Sequence, residues 1–377
     1  MKGPNQIMNA NPKRILCIVS AMNAGGAETF LMKVYRALDK SKYQMDFFVT
    51  VQEEGFYDKE IIANGGRIIR SIPKSKGFFK SLNALRKTVK REKYEYVMRL
   101  SQHSLATLDL LAAKLGGAKV LVQRSTNAGS SGKANKLLHS LFKFLPILIP
   151  TIKIAPSMVA AEYTFGENCI DKGQATIINN AIPVENFLFN PKRREKIRKE
   201  FKLDDQFVVG HVGRLNVQKN HSFLIDIFNE LTKKHENSIL MLVGKGELEN
   251  DIKSKIKSLG LEDRVIFTGI RTDVPDLMMA MDVFIFPSLY EGMPNTVIEA
   301  QATGLPCLIS DTITKEANIT GTIDYLSLDD STSKWALKAL NYTSSFERKD
   351  IKSVYVDHGY DIDSVSKKLM NLITSSD

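Results

Sequence analysis

The sequence predicts an α/β protein built as two successive doubly wound domains, each a parallel sheet with helices on both faces. Three observations predict it. The chain has 377 residues, more than the roughly 100 to 200 of one ordinary core. Apolar runs of strand length alternate with amphipathic runs of helix length up to Phe165 and again from Phe207, the rhythm of β-α-β units. Between the two series stands a break, Asn179-Asn180-Ala181-Ile182-Pro183, followed by the polar, charge-dense run Asn190 to Asp205. The first domain is expected over 1–183 and the second over 184–357.

In the first half the expected strands are Arg14 to Ser20, Tyr43 to Val51, Arg67 to Ile72, Tyr94 to Arg99, Lys119 to Gln123 and Thr151 to Ala155. Each is a short apolar run suited to a strand buried on both faces. Helices are expected at Ala27 to Leu38, Ser104 to Leu115 and Met158 to Phe165. In the second half the expected strands are Phe207 to Val212, Ile239 to Val243, Val265 to Thr268, Val283 to Phe286 and Pro306 to Ser310. They alternate with helices Ser222 to Lys233, Leu248 to Leu259, Val274 to Met281 and Thr296 to Thr303, and a helical segment, Asp361 to Thr374, ends the chain. No repeat or low-complexity tract is visible.

Hydrophobic content of 43% and charged content of 25% belong to a folded chain, which confines expected disorder to the ends. Cys17, Cys169 and Cys307 sit in or beside apolar segments at no metal-ligand spacing, so they read as reduced, buried thiols of a cytosolic protein. Met1 to Lys13 is polar and carries no secretory signal. Leu137 to Ala155 is interrupted by Lys143, Pro146, Pro150 and Lys153, so it reads as helix, turn and buried strand, and no transmembrane helix is expected. Net charge is +10, with +14 in residues 1–180 and −4 in the remainder. That asymmetry points to an anionic partner for the first half: nucleic acid, a phosphorylated substrate or an acidic membrane. A solvated lysine-rich surface is the bland alternative.

The most informative stretch is Ser288 to Ala300, where Glu291 and Glu299 stand eight residues apart around Gly292-Met293-Pro294-Asn295. A strand precedes it and a short helix follows, opened by Pro294 in its first turn and closed by Gly304 and Pro306. Free amides and the positive end of the helix dipole make such a terminus a phosphate site. A ligand reaching both carboxylates needs a polyol on each side of its phosphates, the shape of a nucleotide sugar.

This block resembles the Glu-x7-Glu motif of the retaining glycosyltransferases of family 4, which have the GT-B fold of two Rossmann-like domains. The resemblance extends to Gly213-Arg214-Leu215 with Lys219-Asn220-His221, to Leu242-Val243-Gly244-Lys245-Gly246-Glu247, and to Gly25-Gly26-Ala27-Glu28. The nearest subgroup is similar to bacterial capsule and exopolysaccharide transferases. The resemblance implies an acceptor-binding first domain, a nucleotide-sugar-binding second domain, and a C-terminal helix, about 358–377, that crosses back to the first. Arg214, Lys219 and Glu291 become the catalytic candidates, with Arg214 and Lys219 neutralising the leaving diphosphate and Glu291 contacting the transferred sugar. Glu299 would hold the ribose hydroxyls. Gly213, Gly244, Gly246, Arg271, Gly292, Met293, Pro294, Asn295 and Thr296 complete the expected donor site, Arg271 as a platform for the base.

On the acceptor side the candidates are Gly25, Gly26, His103 and Arg124. Related sequences often have histidine in the loop after the fifth strand, where this chain reads Gln123-Arg124-Ser125-Thr126-Asn127. Arginine cannot act as a base at neutral pH, so the expectation is that Arg124 binds an acceptor phosphate. The basic stretch Lys74 to Lys93 interleaves Phe78, Phe79, Leu82, Leu85 and Val89 with eight Lys or Arg residues, suiting a helix on an anionic membrane; packing of its stripe on the sheet is the alternative. The sole Asp-x-Asp, Asp361-Ile362-Asp363, reads as a helix start, and no metal cofactor is expected.

The resulting expectation is a glycosyltransferase moving a sugar, with retention, from a nucleotide diphosphate sugar to a lipid-linked saccharide at the cytoplasmic membrane face. An epimerase or hydrolase on the same fold is the near alternative. A basic nucleic-acid-binding protein is the alternative of another class, but no zinc spacing or known module supports it. A dehydrogenase is disfavoured because G-x-G-x-x-G is absent after the first strand.

Overall fold

The computed structural model describes residues 11–23, 25–101, 103–126, 139–343 and 347–375. Most of the polar start, Asn127 and the beginning of the Leu137 to Ala155 stretch therefore lie outside the described residues. The chain forms two compact units, one of residues 1–181 with 359–377 and one of residues 182–358.

The sheet of the first unit contains β1 (Lys13–Ile18), β2 (Tyr43–Val49), β3 (Ile68–Arg70), β4 (Tyr96–Ser101), β5 (Val120–Ser125), β6 (Ile152–Ala155) and β7 (Thr176–Ile177). Their order is β3-β2-β1-β4-β5-β6-β7, all parallel. Alternate residues of a strand face opposite sides. Ile15 and Cys17 accordingly join a core with Phe30, Leu31 and Val34 of helix Gly26–Ala37 and with Ile362, Val365, Leu369 and Ile373 of the terminal helix Ile362–Thr374. Leu16 and Ile18 join the opposite core with Leu85, Val89, Leu110 and Ala113, from helices Phe78–Glu92 and Leu108–Gly116. Asp361 caps the terminal helix, accepting from the Ser364 amide at 3.0 Å, as its sequence position indicates.

Asp46, fully buried on β2, is one of the charged groups enclosed in this unit. Its carboxylate accepts from Arg14 Nε at 2.7 Å, Arg67 Nη2 at 3.0 Å and the Tyr94 hydroxyl at 2.6 Å. Burial alone would raise its pKa, but these donors together hold it below the usual carboxylate range. All three cysteines are buried free thiols, and burial pushes those of Cys17 and Cys307 upward, away from reactivity.

In helix Phe78–Glu92 the apolar stripe is divided. Leu85 and Val89 are buried, whereas Phe79 is 81% exposed, and Lys80, Arg86, Lys87, Lys90 and Arg91 are all exposed. Packing on the sheet thus accounts for Leu85 and Val89, while Phe79 and these cations face solvent. From His139 onward the apolar stretch before β6 forms the short helix Phe144–Leu148, and among the described residues no helix is long and apolar enough to cross a membrane.

In the second unit β8 (Phe207–Val212), β9 (Ser238–Val243), β10 (Val265–Gly269), β11 (Val283–Phe286), β12 (Cys307–Ser310) and β13 (Ile323–Leu326) form a parallel sheet of order β10-β9-β8-β11-β12-β13. Its core joins Leu224, Phe228, Leu240 and Ile285 to Trp335 of helix Thr332–Leu340. The polar run after the break is a helix, Pro191–Glu200, capped by Asn190, whose side chain accepts from the amides of Lys192 and Arg193. Its charges serve another helix. Arg194 and Arg198 donate to the main-chain carbonyls of Met279, Ala280 and Met281, which end helix Val274–Ala280, and to Asp282.

Candidate active site

In an open parallel sheet, ligands collect at the carboxyl ends of the strands where the order reverses. In the second unit that place lies between β8 and β11, and the loops leaving them are Gly213 to Asn220 and Pro287 to Pro294. These loops carry Arg214, Lys219 and Glu291. They are stitched together by the Leu289 amide to the Gln218 carbonyl and by Gln218 Nε2 to the Tyr290 carbonyl, each at 2.9 Å. Lys219 Nζ then lies 2.5 Å from Glu291 Oε1, with side-chain exposures of 15% and 10%, and 4.5 Å from the centre of the Phe286 ring. Local sequence explains the approach. Asn216 caps the 3-10 turn Val217–Lys219, and Asn220 takes a left-handed conformation, φ 55°, that turns the chain into helix His221–Thr232.

Next to Lys219 lie two buried imidazoles. His211, on β8, donates from Nδ1 to the Ile285 carbonyl at 2.9 Å, which ties β8 to β11 at the switch point. The His221 ring meets it edge-on at 4.7 Å, and Phe286 stacks on its face at 5.3 Å. Burial, with the neighbouring Lys219 cation, drives His211 well below the usual histidine range and His221 down to about 4. Both are neutral near pH 7. Sequence reasoning gave neither a role, although His221 stands in the Lys219-Asn220-His221 run and His211 breaks an otherwise apolar strand.

Gly244 and Gly246 serve the chain itself. A Cβ on Gly244, at φ 134°, would stand 2.1 Å from the Gly213 carbonyl oxygen, and one on Gly246 would stand 2.2 Å from that of Leu215. The loop after β9 can therefore lie against the loop after β8, and Arg214 bridges them by an ion pair to Glu247 at 3.1 Å, on an exposed face. Arg271 is held by carboxylates: Nε and Nη2 each reach Asp273 at 2.7 Å, and Nη2 also reaches Glu200 at 3.1 Å. These in-plane contacts fix the guanidinium by its edge and leave the expectation of base stacking, which would use its face, as it stood.

Pro294 occupies the N-cap, one residue ahead of its expected place, and helix Asn295–Ala302 begins with no side-chain cap. The first amides of a helix have no partner within it, and here Asn295 and Thr296 carry them. A Cβ on Gly292 would meet no protein atom within 4 Å, so packing does not require glycine there. Met293 precedes the cap, and Glu299 is half-buried in the second turn. Asn295 Oδ1 and Ser288 Oγ are buried without a hydrogen-bond partner among the described residues; Ser288 was not anticipated.

The first unit has its own reversal, between β1 and β4, and a cavity of about 210 Å³ lies there, lined by Ser20, Glu28, Arg99, Ser101, His103 and Thr126 among others. Gly25 is the N-cap of the following helix; a Cβ there would lie 2.4 Å from Glu28 Oε2, while one on Gly26 would meet nothing. Burial, then the Arg99 and Lys74 cations, lower the His103 pKa. Arg124 is absent from this lining. It is fully buried, its guanidinium 3.7 Å from the centre of the Phe30 ring and Nη2 2.7 Å from Asn180 Oδ1, and burial lowers its pKa to about 9. The expectation of a phosphate ligand at Arg124 is corrected: the side chain ties β5 to the segment around Asn180.

A larger cavity, about 500 Å³, lies at the amino end of β8, lined by Arg194, Arg198, Asp282 and Arg348 among others. Those arginines are spent on main-chain carbonyls and Asp282, so it is built for structure.

The family model "Glycosyl transferases group 1" matches residues 192–320, a span that holds all the loops of the second unit described above. Over 378 residues and 98% of each chain, the sequence is 32% identical to the putative glycosyltransferase EpsF of Bacillus subtilis. Over 243 residues, 62% of each chain, it is 32% identical to the UDP-Gal:alpha-D-GlcNAc-diphosphoundecaprenol alpha-1,3-galactosyltransferase of Escherichia coli. The crystal structure of HepE from Anabaena in complex with UDP superposes on 96% of this chain and 95% of its own, with a TM-score of 0.69 and 18% identity, a likeness of fold.

Proposed function

Because this chain belongs to the group 1 glycosyl transferases and has their GT-B fold, we propose that it transfers a hexosyl group from a nucleoside diphosphate sugar to an acceptor hydroxyl with retention at the anomeric carbon. The observation that carries the donor assignment is the Lys219–Glu291 contact, which joins two loops at the reversal of the second sheet beside an uncapped helix N-terminus. A diphosphate placed there meets the Lys219 cation, the amides of Asn295 and Thr296, and Arg214 at the exposed edge. As the sugar leaves, these groups take up the charge gained by the departing phosphate, without a metal ion. Glu291 accepts from hydroxyls of the transferred sugar and Glu299 from the ribose.

The acceptor belongs to the first unit. By analogy with the Escherichia coli relative, whose name gives a diphosphoundecaprenol-linked sugar as acceptor, it is a lipid-linked saccharide of capsule or exopolysaccharide assembly. The exposed cations of helix Phe78–Glu92, with Phe79 beside them, would hold the enzyme against the cytoplasmic face of an anionic membrane. A thermal-shift screen of nucleoside diphosphate sugars tests the donor site, since a ligand at about 100 times its Kd stabilises by about 2.7 kcal/mol. Proton NMR of the anomeric centre in the product then reads the stereochemistry. A flat screen defeats the donor assignment, and an inverted product defeats retention.

A further inference from the structure

The cavity of the first unit, about 210 Å³, is smaller than the roughly 300–1,000 Å³ of a whole-ligand site, so it suits one group or one ring. Its cation is Arg99, whose side chain is 12% exposed. Nη1 donates to the carbonyls of Ile18 at 2.9 Å and Leu100 at 2.7 Å, and Nε lies 2.8 Å from Asp109 Oδ2. These contacts fix the guanidinium plane. Asp109, itself buried, is shared with Lys74, whose Nζ also lies 2.8 Å from Oδ2. Within this cluster one carboxylate serves two cations. Among the described residues Nη2 of Arg99 makes no hydrogen bond. The cavity's other fixed charge comes from a different element: Glu28, on helix Gly26–Ala37, folds its carboxylate into the space above Gly25.

A guanidinium held rigidly with one nitrogen, Nη2, left over offers an anion a fixed charge-assisted donor, which a flexible ammonium does not. We propose that Arg99 binds an anionic group of the acceptor, either a phosphate of a lipid diphosphate or the carboxylate of an acidic sugar, while Glu28 accepts a hydrogen bond from a hydroxyl of the same molecule. The inference rests on the reading of the first unit as the acceptor side. It narrows the acceptor to anionic saccharide carriers and makes Arg99 the residue that selects them.

The test is calorimetry on the full chain with the cognate nucleoside diphosphate saturating, so that the second unit is blocked. The probes are farnesyl diphosphate, methyl glucuronide and neutral methyl glucoside. One of the two anionic probes is expected to bind, which identifies the source of the anion. Its affinity should fall about tenfold or more in Arg99→Gln, fall less in Arg99→Lys, and hold or rise in Glu28→Gln, because removing a carboxylate favours an anion. Opposite responses of the two Gln variants distinguish ligand charge from a structural role, which would weaken binding in both. Equal affinity of the native chain and Arg99→Gln for both anions, or no anion binding, overturns the proposal. Should Arg99→Gln lose its fold, the His103 Cε1–H resonance of the native chain gives a second reading: it shifts on adding the bound anion, and an unmoved resonance overturns the proposal. Failure of any nucleoside diphosphate to bind defeats the glycosyl-transfer reading separately, and the His103 response is then measured without it.

Discussion

Lys219 and Glu291 stand 72 residues apart in the chain, and their side chains meet at 2.5 Å where the two central strands of the second sheet end. Each neutralises the other in a nearly buried setting, so they act as a coupled pair. Lys219→Ala should weaken nucleoside diphosphate binding at least tenfold, through loss of a charge-assisted contact, and should also lower stability because Glu291 is left without its cation. The double variant Lys219→Ala/Glu291→Ala should recover most of that stability and none of the affinity. Calorimetry and chemical unfolding on the three proteins separate the two effects; unchanged affinity in Lys219→Ala removes it from the donor site.

Glu299→Ala should weaken the nucleotide by a similar factor with little change in stability, since the half-buried carboxylate is assigned to ribose hydroxyls. A nucleotide lacking both ribose hydroxyls should bind native chain and variant alike. A variant that still discriminates between the two nucleotides would place the ribose elsewhere.

Turnover should persist in excess EDTA, because Lys219, Arg214 and the first-turn amides of helix Asn295–Ala302 are given the role a divalent cation would otherwise fill. Abolition by EDTA with recovery on adding Mg²⁺ or Mn²⁺ would refute this assignment.

The second unit should lose stability on mild acidification, with an identifiable cause. His211 and His221 are held neutral in the fold, while unfolded imidazoles protonate near 6.5. Below that pH the unfolded chain binds more protons than the folded one, so stability is full above about 6.5 and declines as pH falls toward about 4, where folded His221 takes its own proton. For His221 the loss across this window is roughly 3 kcal/mol. The unfolding free energy should fall less between pH 7 and pH 4.5 in His221→Gln than in the native chain. Identical slopes would show that this imidazole titrates normally.

Anionic vesicles should sediment the native chain at low salt and release it as salt rises, since each Lys or Arg near such a surface contributes about 1 kcal/mol and screening acts within a Debye length. Replacing Lys80, Arg86, Lys87, Lys90 and Arg91 by Gln should abolish sedimentation and leave nucleotide binding intact. Equal sedimentation of the two would make this face ordinary solvated surface.

The fold was legible because its strands are apolar runs: Phe207 to Val212 and Val283 to Phe286 fall where the sequence places them. Helix Pro191–Glu200 was missed because its charges imitate a solvated linker, whereas Arg194 and Arg198 cap a helix end 80 or more residues away in sequence. Contacts of that span leave no local signature. The same limit governed the site. The loops bearing Lys219 and Glu291 were readable as motifs, but Arg99, His211, the corrected position of Arg124 and the ion pairs of Arg271 depend on what each side chain meets in three dimensions. An arginine's sequence neighbours do not reveal whether its charge faces a ligand or, as at Arg271, two carboxylates.

The terminal helix has a consequence for how the chain is made. The core face formed by Phe30, Leu31 and Val34 is completed by Val365, Leu369 and Ile373, which leave the ribosome only after all of residues 182–358. At roughly 5 to 20 residues per second, the first unit waits on the order of 10 to 35 seconds with an apolar face open to solvent while the second unit is synthesised and folds. The nascent first unit is thus the stage of biosynthesis at which a holding chaperone has most to cover, and a stop codon anywhere before Ile362 would leave that exposure permanent.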